Sequence, residues 1–270
     1  MDNDDRPIGI VLSRRDALVA LGAVSGAALL AGCAPGQTPQ AASVSPAPTQ
    51  GQSAGGAASA TEATTGSSTT LPTCVVRPAM TEGPYFVDEK LNRTDVRSDP
   101  SDGTVKDGLP LRLVFHVSRI DAAACVALAG ATVDIWHCDA AGVYSDAQDP
   151  SFNTKGKKFL RGYQVTDASG AAAFTTIYPG WYQGRAVHIH FKIRTDPNSA
   201  QGYDFTSQLF FEDALNQKVY TQPPYAAKGQ PTMTNKDDGI FQAGGDQMIL
   251  QPTAEGDGYT AVFDIGLQIA

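Results

Sequence analysis

The sequence is poor in histidine, cysteine, tryptophan and charge: its 270 residues include four His, four Cys and two Trp, and 18% are charged. Each scarcity excludes something. The net charge is −8, so there is no basic footprint of the kind nucleic acid requires. The longest uncharged apolar run, residues 17–32, has 16 residues, short of the roughly 20 that an integral membrane helix needs. No Cys-x-x-Cys pair occurs, which removes zinc-knuckle and thioredoxin-like sites. Residues 73–270 hold no Gly-x-Ser-x-Gly elbow, the mark of an α/β-hydrolase nucleophile.

What is present divides into three stretches. Residues 1–33 look like an address: Ser13-Arg14-Arg15-Asp16 precedes the apolar run, which closes on Leu30-Ala31-Gly32-Cys33. Paired arginines ahead of a short apolar segment resemble a twin-arginine export signal. The closing tetrad resembles a bacterial lipobox, which implies that Cys33 carries a lipid anchor. Of residues 34–72, all but Val44, Glu62 and Leu71 are Ala, Gly, Ser, Thr, Pro or Gln. Such a composition cannot bury enough apolar surface to offset its ordering entropy, so a disordered tether is expected. Residues 73–270 remain, enough for one folded domain. The expected location is exported, lipid-anchored at the outer face of a bacterial membrane or periplasmic. Outside the cytoplasm, two of Cys74, Cys125 and Cys138 would form a disulfide and leave one over.

The folded part reads as strands. Leu111, Leu113, Phe115 and Val117 alternate with Arg112, Val114, His116 and Ser118, the period of a half-buried strand. Similar runs at 131–136, 159–166, 171–177, 187–194, 207–211, 247–251 and 259–265 are separated by turn formers. No stretch after the signal carries a clear 3.6-residue period. The expected class is therefore all-β: an antiparallel β-sandwich with long rim loops, notably 146–158 and 195–206, preceded by the disordered linker.

Two of the histidines fall in Val187-His188-Ile189-His190-Phe191-Lys192-Ile193. On a strand, Val187, Ile189, Phe191 and Ile193 face the core, and His188 and His190 share the other face with Cα atoms roughly 6.6 Å apart. Two imidazoles at that spacing can converge on one metal ion. The plainer reading is a pair of solvent-facing histidines. Two other segments add weight to the metal: Asp134-Ile135-Trp136-His137-Cys138-Asp139-Ala140-Ala141-Gly142-Val143-Tyr144, and Tyr178-Pro179-Gly180-Trp181-Tyr182 just before the His strand. The third ligand could be a carboxylate, Asp134 or Asp139, giving a two-His, one-carboxylate site. Phenolates are the other option, since a strongly Lewis-acidic Fe(III) can ionise a phenol of ordinary pKa about 10. His116 and His137 read as exposed or structural, and Tyr85 as a pocket or turn aromatic.

Taken together these segments resemble the intradiol ring-cleavage dioxygenases, the family that includes catechol 1,2- and protocatechuate 3,4-dioxygenases. The resemblance runs through Thr81-Glu82-Gly83-Pro84-Tyr85, the 134–144 segment, Arg161-Gly162-Tyr163, Pro179-Gly180-Trp181-Tyr182 and Arg185-Ala186-Val187-His188-Ile189-His190-Phe191. It implies a non-haem Fe(3+) held by Tyr144, Tyr182, His188 and His190. It implies catalytic roles for Tyr182, for Arg185 three residues before the first His, and for Gln208 on the next strand. It also implies a catechol-type substrate cleaved by O2 to a cis,cis-muconate-type dicarboxylate. Trp181 and Gln183 stand where many members have prolines, and Ala186-Val187 replaces a frequent Pro-Ala, so the substrate mouth is expected to differ.

Two rival classes share parts of this pattern. Exported transthyretin-like β-sandwich modules also show a Thr-Asp-x-x-Gly turn, an aromatic strand and Pro-Gly-x-Tyr, as in residues 166–182, but bind without catalysis. A cupin-like zinc or Fe(II) enzyme could use His188 and His190 with a distant carboxylate. Iron content separates the first rival from the dioxygenase reading, and visible colour separates the second.

Overall fold

The alternation of residues 111–117 appears in the computed structural model as β1 (Pro110–Asp121), in which Leu111, Leu113, Phe115 and Val117 are all buried. Proline is tolerated there because it is the strand's first residue. The structure describes residues 75–121, 124–196 and 202–269, all within one compact unit. The export signal, Cys33, the linker and Cys74 lie outside the described residues. After β1 come β2 (Ala124–Ala127), β3 (Thr132–Trp136), the two-residue strands β4 (Gln148–Asp149) and β5 (Phe152–Asn153), and β6 (Arg161–Val165). Then follow β7 (Ala171–Ile177), β8 (His188–Arg194), β9 (Asp204–Phe210), the short helix α1 (Asp213–Val219), β10 (Thr253–Glu255) and β11 (Gly258–Leu267).

The larger strands form two sheets. One has the order β10-β11-β1-β2, with β7 also paired to β1; the other is β6-β3-β8-β9. They share an apolar core in which the Phe115 ring lies 5.2 Å from Phe191 and 5.9 Å from Phe263, centroid to centroid. β8 is central in its sheet, flanked by β3 and β9. Its Ile189, Phe191 and Ile193 join the core. The opposite face is buried too, since all seven residues of β8 are buried. Residues 82–88 lie over it: Glu82 pairs with Lys192, and Asp88 bonds Arg194 at 3.0 Å. The solvent-facing reading of His188 and His190 is thereby excluded.

Three expectations need correction. The first sheet is mixed, because β1 pairs parallel with β11 from Leu111↔Tyr259 to Arg119↔Leu267. A parallel pair requires a long crossover, and β2 through β10 lie between these two strands. Residues 247–251 are not a strand: Gly245–Met248 is a 3-10 turn, and Ile249 makes one isolated bridge to Phe210. A Gly244-Gly245 pair with Gly244 at φ 114° breaks the chain direction there. The helix α1 was not expected, since its seven residues with only Asn216 and Val219 buried are too few to display a helical period. Among the described residues, Cys138 is a free, buried cysteine and Cys125 is disulfide-bonded.

Candidate metal centre

Four side chains from three places in the sequence meet beside β8. Tyr144 ends the turn after β3, which Asp139 organises: its Oδ1 accepts the backbone N–H groups of Ala141 and Val143, each at 3.0 Å. Gly142 in that turn has φ +83°, and a Cβ there would lie 2.2 Å from the Trp181 carbonyl oxygen. Only glycine allows the two tyrosine-bearing loops to approach so closely. Arg161 on β6 secures the next residue by donating to Ser145 Oγ at 2.7 Å and to the Ser145 carbonyl. It also reaches the Tyr85 carbonyl at 3.1 Å. Tyr182 is carried by the loop after β7, whose Pro179 carbonyl is fixed by the Tyr220 hydroxyl at 2.7 Å.

The functional atoms converge on His188. Its Nδ1–H donates to the Ala186 carbonyl at 2.7 Å, so its Nε2 carries a lone pair. Around that Nε2 stand Tyr182 Oη at 3.2 Å, Tyr144 Oη at 3.4 Å and His190 Nε2 at 3.0 Å. Three potential donors crowd one lone pair, more than hydrogen bonding alone can use. His190 Nδ1 is buried with no hydrogen-bond partner, and its ring stacks on Trp136 at 5.0 Å and 8°. Burial, then the Arg185 charge, pushes both histidines well below their ordinary pKa, so both are neutral. Burial also pushes Tyr144 well above 10 and Tyr182 up to about 12. A cluster of two neutral imidazoles and two phenols that resist ionisation fits a small, strongly Lewis-acidic cation, which alone could draw both protons off.

Arg185 and Gln208 stand beside the four. Arg185 Nη2 donates to Gln208 Oε1, and Gln208 Nε2 donates to the Thr81 carbonyl at 2.9 Å. Arg185 opposes the upward push on Tyr182 both by charge and by a hydrogen bond. A cleft of about 680 Å³ opens at Tyr144 and Tyr182 and is lined further by Tyr85, Phe152, Trp181 and Lys228. Tyr85 stacks on Tyr144 with centroids 4.4 Å apart and donates to Asp149 at 2.8 Å, so it is a wall of the pocket.

The structure brings together every site residue expected from the sequence and excludes the carboxylate option. Asp134 is bound by Arg194 at 2.7 Å, and Asp139 by Lys106 at 2.8 Å. Among the described residues no group of three or more His, Cys, Asp or Glu is placed to hold a metal ion. His116 pairs with Asp264 at 3.0 Å. His137 is buried between the Cys138 carbonyl and the Thr176 hydroxyl, at 2.9 and 2.7 Å. Sequence reasoning missed Asp238, which accepts Arg185 Nε at 2.9 Å, and the Trp136 platform under His190. Neither carries a local signal, because each acts through a contact distant in the chain.

Known proteins resemble this chain over much of its folded part. A family profile described as "Dioxygenase" matches residues 81–230. Chlorocatechol 1,2-dioxygenases of Pseudomonas putida and of Pseudomonas sp. (strain P51) are 32% identical over 104 residues and 30% over 154 residues. These stretches are 32% and 50% of this chain, and the chain spans only 36% and 55% of those relatives. Among solved structures, an intradiol ring-cleavage dioxygenase from Tetranychus urticae superposes with TM-score 0.63 at 28% identity, covering 72% of this chain and 95% of that one. The dioxygenase domain of a dioxygenase carbohydrate-binding protein fusion from Streptomyces sp. SirexAA-E gives TM-score 0.50 at 28% identity, covering 73% of this chain and 100% of that one. Since the profile takes in more than half of the 270 residues, the chain belongs to the intradiol ring-cleavage dioxygenase family.

Proposed function

We propose that this protein cleaves a catechol-type aromatic ring between its two hydroxyl-bearing carbons, using O2 and a non-haem Fe(III), to give a cis,cis-muconate-type dicarboxylate. The observation that carries the reading is the convergence of the Tyr144 and Tyr182 phenol oxygens with His190 Nε2 on His188 Nε2. Both oxygen atoms of O2 enter the product, so no external reductant is required. Tyr144, Tyr182, His188 and His190 would hold the ion, which supplies a Lewis acid and a template for the two catechol oxygens.

The rest of the chemistry belongs to the chain itself. Tyr182 is less buried than Tyr144 and sits where the cluster meets the cleft. As a phenolate, its Oη is the atom placed to take a proton from an incoming catechol hydroxyl. Arg185 places positive charge beside that oxygen and stabilises negative charge developing on the ring. Gln208 holds one arm of Arg185. Tyr85, Phe152 and Trp181 offer aromatic walls to the substrate ring and keep water from it. The sandwich module reading has no use for four such groups at one point.

The test is the visible spectrum of the purified protein with iron quantified, before and after catechol is added without oxygen. A ferric tyrosinate band that moves on addition is the expected result. Stoichiometric iron without that band would shift the reading to another metal enzyme, and failure to take up iron on reconstitution would favour the non-catalytic module. We further propose that the domain is exported by the twin-arginine route and held to a membrane only through lipid on Cys33. The signal residues Arg14 and Arg15 and the Leu30-Ala31-Gly32-Cys33 tetrad support that reading.

A further inference from the structure

Asp238 is a carboxylate with 1% exposure, in the turn between the 3-10 segments Asn235–Asp237 and Phe241–Ala243. It lies beyond residue 230, where the family match ends. Its two oxygens divide the work. Oδ1 accepts the backbone N–H groups of Ile240 at 2.7 Å and Phe241 at 3.2 Å, which ties the side chain to its own turn. Oδ2 reaches across to the residues that lead into β8, accepting Arg185 Nε at 2.9 Å and the Ala186 N–H at 2.8 Å. A buried carboxylate with four N–H donors is fully satisfied.

The consequence falls on Arg185. A guanidinium is planar, so fixing two of its nitrogens fixes the direction of every remaining N–H. Asp238 holds Nε, and Gln208 holds Nη2. Without Asp238 the side chain keeps its charge but loses the anchor nearest its stem. The same carboxylate also fixes the Ala186 peptide, whose carbonyl orients the His188 imidazole at 2.7 Å.

Resting on the function proposed above, we infer that Asp238 is a positioning residue for ring cleavage: it fixes the plane of the Arg185 guanidinium so that its charge is aimed at Tyr182 Oη and at a substrate oxygen beside it. The role differs from that of a plain structural ion pair in acting on turnover through Arg185, whereas the Ala186 N–H contact is one that the amide oxygen of Asp238→Asn can keep.

The test is a double-mutant cycle on the iron-loaded full chain with catechol: wild type, Asp238→Asn, Arg185→Ala and the double variant. Asp238→Asn should bind iron in full and keep its visible band and its anaerobic affinity for catechol within about threefold. Its kcat should fall on the order of 10- to 100-fold, and adding it to Arg185→Ala should cost nothing further. Wild-type kcat in Asp238→Asn, or losses in the double variant that multiply, would overturn the proposal. Should Asp238→Asn not fold, as judged by the melting of the metal-free protein, Arg185→Lys decides. It keeps the charge but cannot reproduce the planar fork, so its kcat should drop to near that of Arg185→Ala, and full kcat would refute the role. A wild-type protein that neither holds iron nor cleaves catechol would sink the functional reading as well. An active wild type with an unaffected Asp238→Asn would sink this inference alone.

Discussion

His190 shows how much a single residue depends on its surroundings. Its ring is pressed between Trp136 and the backbone of Gly83, where an added Cβ would lie 3.2 Å from His190 Cε1 and where φ is +72°. Gly83→Ala should therefore strain the backbone by about 1–2 kcal/mol and push the imidazole out of line, lowering iron affinity in a chelator-competition assay while the fold survives. Tyr144→Phe, His188→Ala and His190→Ala should each lose iron, measured by metal analysis. Arg185→Ala should keep its iron and lose about 10²- to 10³-fold in kcat, the scale of losing one preorganised charged donor. Full activity in an iron-free His190→Ala protein would refute the ligand set. At this scale the sequence was informative, because His188, His190 and Tyr182 lie close together in the chain and their spacing survives folding. Asp238 and Trp136 were silent, because what each does depends on a partner 53 or more residues away.

At the scale of elements, the connection between the two sheets carries a titrating group. His137 follows β3 in one sheet, and its Nε2 meets Thr176 on β7 in the other at 2.7 Å. Burial pushes its pKa down to about 4, so the fold holds it neutral. The unfolded chain takes up a proton as pH falls through about 6.5, and the folded one resists until about 4. The stabilisation is thus complete above about pH 6.5 and declines to its limit near pH 4, a loss of up to about 3 kcal/mol. Chemical denaturation of the metal-free protein at several pH values should show this slope, and His137→Gln should flatten it relative to wild type. The core strand makes a second prediction: Phe191→Ala removes the ring that meets Phe115, Phe205 and Phe263 and should cost about 3–5 kcal/mol, read as a shift in the denaturation midpoint. Strand positions were legible because alternation is a local property. The parallel pairing of β1 with β11 was not, since period-2 patterning is identical for either strand direction.

For the whole molecule, we propose from composition an address, a tether and a folded domain. If the tetrad ending in Cys33 directs lipidation, Cys33→Ser should move the protein from the membrane to the soluble fraction with iron content unchanged. Replacing Arg14 and Arg15 with lysine should leave it unexported. Fractionation with immunoblotting checks both, and an unchanged distribution in either variant would count against that step. The sequence by itself determined the β-rich class and most strand positions, because these follow from periodicity, and the resemblance of its motifs to the intradiol family named the four side chains that the fold brings together. Tertiary structure alone decided which carboxylates were free. Asp134 and Asp139 sit in the same segment as Tyr144, yet ion pairs with Arg194 and Lys106 remove them from the site. It also decided that a carboxylate 53 residues further along the chain would hold the arginine beside Tyr182. Such pairings depend on where distant segments cross, and that is fixed by sheet order and core packing rather than by any local pattern.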